Sequence, residues 1–211
     1  MENLDRIRKP SVSLLAYSPD PERIVATAMR QSRFKGGVID IELTKEDINR
    51  LISLAMNLKH FSVFEHISFT FAIEGISRAC SHQFVRHRFF SFTQQSQRYV
   101  KEQGFPFIVP PSIEKNNVAF GKFKKLMNEI NSLYQELLQF VPAEDARFIL
   151  PNATETKMVA TANARELMHF FRLRLDSHAQ WEIRELASVM FKEVNKVAPN
   201  IFNDENIKFF E

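Results

Sequence analysis

ISFTFAIE, residues 67–74, followed two residues later by SRACSHQFVRHR, residues 77–88, changes its period in mid-stretch. Ile67, Phe69, Phe71 and Ile73 alternate with Ser68, Thr70 and Glu74, the two-residue repeat of a strand buried on one face. The second segment reads as a helix that ends on Arg86, His87 and Arg88. Further strand candidates lie near residues 11 (SVSLLAYS), 89 and 106, close enough in sequence to suit a small antiparallel sheet. The expected fold class is therefore α+β, a small antiparallel sheet flanked by several helices, in a single domain over residues 1–211.

The helices announce themselves by caps and apolar spacing. PDPERIVATAMRQS puts Asp20 at an N-cap and Pro21 at the first helical position, with an end expected near Gly36 and Gly37. Thr44 precedes a second helix in which Asp47 is the capping partner and Ile48, Leu51, Ile52 and Ala55 share a face. Between Pro110 and Pro142 a long helix carries Phe123, Met127, Ile130, Tyr134, Leu137 and Leu138 at helical spacing. A shorter one runs to about Ile149 and stops before Pro151, and ETKMVATA is a strand or an irregular extended segment. Asn163 caps NARELMHFFRLRL, and WEIRELASVMFKEVNKV forms a last helix reaching Pro199.

Composition narrows the function. A chain of 211 residues with 45% hydrophobic content buries a sizeable core, and a net charge of only +3 is too balanced for a polycationic nucleic-acid coat. Any strong positive field must be local. A lone cysteine, Cys80, excludes an intramolecular disulfide and a cysteine-rich zinc site, in keeping with a reducing cytoplasm. MENLDRIRKP lacks a signal-peptide core and no uncharged run reaches membrane-span length, so a soluble, cytoplasmic chain is expected. With 21 phenylalanines and 5 glycines, phosphate binding falls to side chains rather than to a glycine-rich loop.

Those side chains concentrate in RHRFFSFTQQSQRYV, residues 86–100. Arginine is a planar fork of donors charged at every physiological pH, and beside serine hydroxyls it suits phosphate oxygens. Glutamine adds groups that can read a base edge. A solvated basic face is the plain alternative, but such a face does not interleave Phe89, Phe90, Phe92 and Tyr99, whereas a nucleotide pocket needs aromatic walls.

The run also fits RHRxxSxxxxSxR at Arg86, His87, Arg88, Ser91, Ser96 and Arg98. In this it resembles the flavin-dependent thymidylate synthases, which make dTMP from dUMP without the catalytic cysteine of the unrelated synthases. KHFSVFEHISFTF, ARFILP, NAREL and LRLDSHAQWEIRELA are similar to that family's other blocks, in the same order, between about residues 60 and 190. The resemblance implies an FAD site of Ser62, Glu65, Arg86, His87, Arg88, Gln94, Asn163, Ala164, Arg165 and His169, with Ser32 a further candidate. It implies a dUMP site of Gln83, Phe84, Val85, Arg86, Gln94, Gln95, Ser96, Gln97, Arg98, Arg147 and Arg174, the last being catalytic. NADPH and 5,10-methylenetetrahydrofolate would be co-substrates, and a homotetramer would share its sites between subunits. Many members carry an acidic residue where Gln94 stands.

Arg174 cannot act as a base, because a guanidinium keeps its proton, but it can stabilise negative charge on a pyrimidine losing its N3 proton. Cys80 reads as a buried, inert small hydrophobe rather than a nucleophile. No metal site is expected: His82 and His87, and His169 and His178, lack any HExxH or cysteine pattern. His60 and His66 read as structural, with His60 also a folate-side or flavin-side candidate under the resemblance. A single-stranded nucleic-acid-binding module, in which arginines hold phosphates and aromatics stack on bases, is the competing expectation; the enzyme reading predicts neither a nucleic-acid nor a membrane partner.

Overall fold

The computed structural model describes residues 6–40, 42–102 and 104–208. Strands β1 (Ser11–Tyr17), β2 (Ser68–Ser77), β3 (Ser91–Gln94) and β4 (Glu155–Asn163) make one antiparallel sheet in the order β1-β2-β4-β3. The helices are α1 (Pro21–Gln31), α2 (Lys45–Asn57), α3 (Arg78–Phe84), α4 (Pro111–Glu114), α5 (Asn117–Leu137), α6 (Ala143–Ala146), α7 (Ala164–Arg174), α8 (Trp181–Val197) and α9 (Asp204–Lys208). The α+β class expected from the sequence is the class observed.

The alternation in β2 places Ile67, Phe69, Phe71 and Ile73 at 0% exposure, as the two-residue repeat requires. It ends at Gly75, whose φ of 71° belongs to the left-handed region. Four expectations need correction. The strand expected near 106 is reduced to single bridges from Phe107 to Ile7 and Thr154, and the fourth strand is β4. The helix expected over 77–88 stops at Phe84. Beyond it the chain turns, with Phe90 N–H donating to His87 O at 3.1 Å, which buries His87 while Arg86 and Arg88 stay exposed. Helix α1 ends at Gln31, well before the glycines, and Asp20 adopts the left-handed conformation with no side-chain cap, its carboxylate pairing with Arg23 instead.

By its contacts the chain divides into two compact units. One comprises residues up to Ser11, Ile73–Phe84 and Thr93–Met158. Its core gathers Phe105, Phe107, Val109 and Met127, with Phe120, Phe123 and Ile130 of α5 packed against them. Helix α5 starts on Asn116, whose side chain accepts from the N–H groups of Val118 and Ala119.

The other comprises Val12–Ala72, Val85–Phe92 and the residues from Val159 onward. The expected capping box of α2 forms, Thr44 accepting from Asp47 N–H while the Asp47 carboxylate accepts from Thr44 N–H. A short 3-10 helix, Phe61–His66, packs between α1 and α7, and α7 also packs on α8 and α9. Asn163 caps α7 as expected, its Oδ1 accepting from Glu166 N–H at 2.9 Å. Ala164, Leu167, Met168, Phe170 and Phe171 of α7 are all at 0% exposure, so the opposite face, with Arg165, His169 and Leu173, is left outward.

Candidate active site

That outward face of α7 forms one wall of a cleft of about 830 Å³. The helix contributes Arg165, Glu166, His169, Leu173 and Arg174, with its cap Asn163 at the near end. Positions 166, 169 and 173 are three and four residues apart, the spacing that aligns side chains on one helical face. The 3-10 helix adds Phe61 and Glu65, and the turn after α3 adds Arg86, His87, Arg88 and Phe89. Four guanidiniums thus face two carboxylates, beside phenyl, imidazole and leucine surfaces. Phe89 is 83% exposed, so this cleft has an apolar rim as well as a cationic lining.

The charges are not equivalent. Arg165 is ion-paired with Glu65, and both side chains are about half exposed, so the pair is weakly held and open to exchange with an incoming anion. His87 and Glu166 are buried. His87 packs edge-on against Phe170 with ring centroids 4.9 Å apart. Its Nε2 accepts from Arg174 Nε–H at 3.1 Å, and its Nδ1 faces Glu166 Oε1 at 3.5 Å.

Of the FAD residues implied by resemblance, Glu65, Arg86, His87, Arg88, Asn163, Arg165 and His169 line this cleft. Ser62 is exposed on the 3-10 helix outside the lining, and Ala164 is fully buried with its N–H donating to Ile67 O at 3.0 Å. Ser32 closes α1, its hydroxyl donating to Met29 O. Of the dUMP residues, Arg86 and Arg174 line the cleft, and Val85 lies in the same unit at 37% exposure.

The remaining dUMP residues belong to the first unit, where they form their own arrangement. The Gln94 amide N–H₂ donates to Ser81 Oγ and Thr156 Oγ1 at 3.0 and 2.9 Å, which leaves its carbonyl oxygen to accept. Ser96 Oγ accepts from Arg98 N–H, and Gln95 N–H donates to Lys157 O. Arg98 Nε meets Glu144 Oε2 at 2.5 Å, and Arg147 Nε donates to the Glu144 carbonyl at 3.0 Å, so one residue tethers both arginines. Gln83 is half-buried at the end of α3 and Phe84 is fully buried. Gln97 Nε2 is buried with no hydrogen-bond partner among the described residues. Burial, and after it the charge of Arg147, pulls the Arg78 guanidinium below its usual range, while Glu102 acts the other way.

Sequence reasoning missed Phe61, Glu166 and Leu173 as lining residues, while Phe89, singled out there as an aromatic wall, does line the cleft. Glu166 carried a signal: it stands at the third position after the cap, but an acid in a first helical turn also answers the helix dipole, and its burial is not readable locally.

A cationic, aromatic-walled cleft on an antiparallel α+β fold defines a protein whose chemistry suits phosphorylated ligands. Comparison with known proteins is specific. The family described as thymidylate synthase complementing protein matches residues 13–200. A flavin-dependent thymidylate synthase of Geobacter sulfurreducens is 50% identical over 198 residues, 92% of this chain and 85% of that protein. One of Clostridium tetani is 43% identical over 210 residues, 90% of this chain and 84% of that protein. A crystal structure of a UMP/dUMP methylase from Streptomyces cacaoi, bound with 5-Br dUMP, superposes with a TM-score of 0.84 at 28% identity, covering 97% of this chain and 95% of that one. The chain belongs to the flavin-dependent thymidylate synthase family. The competing expectation of a nucleic-acid-binding module draws no support from these relatives. No helix among the described residues is long and apolar enough to cross a membrane.

Proposed function

We propose that the chain is a flavin-dependent thymidylate synthase, one synthase-like domain that converts dUMP to dTMP. It takes FAD as cofactor, 5,10-methylenetetrahydrofolate as carbon donor and NADPH as reductant, and works as a cytoplasmic homotetramer with sites shared between subunits. Family membership supports the chemistry. The observation that carries it on this chain is the cleft, where Arg86, Arg88, Arg165 and Arg174 converge beside Phe61, Phe89 and His169.

FAD fits that donor set: its diphosphate needs guanidinium forks and its rings need apolar walls, and about 830 Å³ is within the range of cofactor clefts. Arg86, Arg88 and Arg165 hold the diphosphate, with Asn163 and His169 beside them. When bound, the flavin supplies the hydride chemistry. Gln83, Phe84, Val85, Gln94 to Arg98 and Arg147 complete a dUMP site, Arg98 and Arg147 taking the phosphate and the glutamines the base. Arg174 is the catalytic residue, its permanent charge stabilising the pyrimidine as the N3 proton leaves. No thiol is needed, which agrees with a Cys80 at 0% exposure. Exposed Phe140 and Phe148, at 81% and 82%, are suited to subunit contacts.

The test is dTMP formation from dUMP, methylenetetrahydrofolate and NADPH by the purified, flavin-loaded protein. Arg174→Ala abolishes turnover and Cys80→Ala preserves it. A colourless protein that cannot be loaded with FAD and binds RNA with steep salt dependence would favour the nucleic-acid module instead. Loss of turnover in a well-folded Cys80→Ala protein would overturn the thiol-free chemistry.

A further inference from the structure

Of the two carboxylates in the cleft, Glu65 is half exposed, whereas the Glu166 side chain is 8% exposed and faces a His87 side chain that is 5% exposed. A carboxylate this deeply buried requires a reason. The two ring nitrogens of His87 supply it. A guanidinium has donors and no acceptor, so in the 3.1 Å contact between Arg174 Nε and His87 Nε2 the arginine donates and Nε2 carries the lone pair. The ring proton is thereby confined to Nδ1, which is the nitrogen 3.5 Å from Glu166 Oε1. At that distance the contact is long for a hydrogen bond, and what Glu166 presents to the Nδ1–H is an oxygen acceptor. Phe170 against the imidazole, at 4.9 Å between centroids, restrains the ring plane.

We propose that Glu166 and His87 are positioning residues for Arg174. Glu166 holds His87 in its Nδ1–H form, and His87 Nε2 fixes Arg174 through Nε, leaving the two terminal nitrogens of the guanidinium for the ligand. Arginine is a long side chain with much rotamer freedom, and tying down its Nε orients the whole planar fork at one stroke. This assignment rests on the catalytic reading of Arg174. It also gives His87 a task beyond direct contact with the flavin: its buried ring is the support behind the reacting group.

The experiment pairs ¹⁵N NMR of histidine-labelled holoenzyme with steady-state kinetics. The His87 signals, identified by their loss in His87→Gln, are expected to show a protonated Nδ1 and an unprotonated Nε2. Glu166→Leu releases the tautomer toward Nε2–H and lowers kcat per bound flavin about 10- to 100-fold, the scale of a small misplacement of a catalytic group. Glu166→Gln keeps an oxygen acceptor toward Nδ1 and restores most of kcat. An Nε2–H tautomer in the wild-type protein overturns the proposal, as does a Glu166→Leu protein with full kcat. Equal losses in Glu166→Gln and Glu166→Leu also overturn it, because they show that charge neutralisation rather than orientation is what matters. Arg174→Ala, run alongside, separates the two levels: retained turnover there sinks the catalytic reading of Arg174, whatever the tautomer of His87.

Discussion

Replacing Gly75 by alanine separates backbone strain from steric exclusion, because Gly104 provides an internal control. Both glycines have positive φ, 71° and 64°. A Cβ in that region costs about 1–2 kcal/mol wherever it is placed. At Gly104 nothing lies within 4 Å of the added carbon, so the strain is the whole cost. At Gly75 the Cβ would sit 1.9 Å from Lys9 O and 2.7 Å from Lys9 C, both backbone atoms. The two segments would have to part by more than about 1 Å to restore an ordinary contact. Gly75 N–H also donates to Glu155 Oε1 at 2.9 Å, and Glu155 is only 6% exposed. Losing that charged, buried bond costs roughly 1.5–3 kcal/mol. Gly75→Ala should therefore be at least about 2 kcal/mol more destabilising than Gly104→Ala. For a chain of this length that separation is about 4–8 °C in Tm. The assay is thermal unfolding followed by circular dichroism, at matched protein and flavin concentrations since both ligand and assembly shift Tm. Two variants that melt together would refute the steric argument and leave only the conformational one.

Two further perturbations follow from the same structure. Asn163→Ala removes the α7 cap and should cost about 1 kcal/mol, while Asn163→Asp, which keeps an acceptor for Glu166 N–H, should cost little; denaturant midpoints that do not distinguish them would refute the capping role. Burial, and after it the charge of Glu155, holds the Glu102 carboxyl above its ordinary value despite the pull of Arg78 and Lys157. The folded chain then binds that proton more tightly than the unfolded one, so protonated Glu102 favours folding and the benefit is lost as pH rises from the ordinary to the raised value. Glu102→Gln should be more stable than the wild type at neutral pH, with the gap closing on acidification; a pH-independent gap would contradict this origin.

Much of the fold was legible because it is set by neighbours in the chain. The alternation from Ile67 to Ile73, the Thr44–Asp47 box and the Asn163 cap depend on contacts spanning a few residues, and each is present. The α1 cap failed for a related reason: Asp20 could bond the backbone or Arg23, and only the conformation adopted decides between them. The missing strand at 106 shows the limit of local reading, since a strand exists only if a partner lies alongside, and there Phe107 makes isolated bridges.

The sequence by itself determined which chemical groups are present: an arginine-rich motif within aromatics, a helix opening on Asn163, and no thiol besides Cys80. Tertiary structure alone decided which of them face inward together. His87 and Arg174 are 87 positions apart, and the bond between them arises only when the turn after α3 is packed against α7. Glu166 reads in sequence as one more acid in a first turn, and becomes a buried partner of His87 only through that packing. Spacing along a chain encodes which residues share a face, but burial, tautomer and charge pairing depend on what the other side of the cleft brings within a few ångströms.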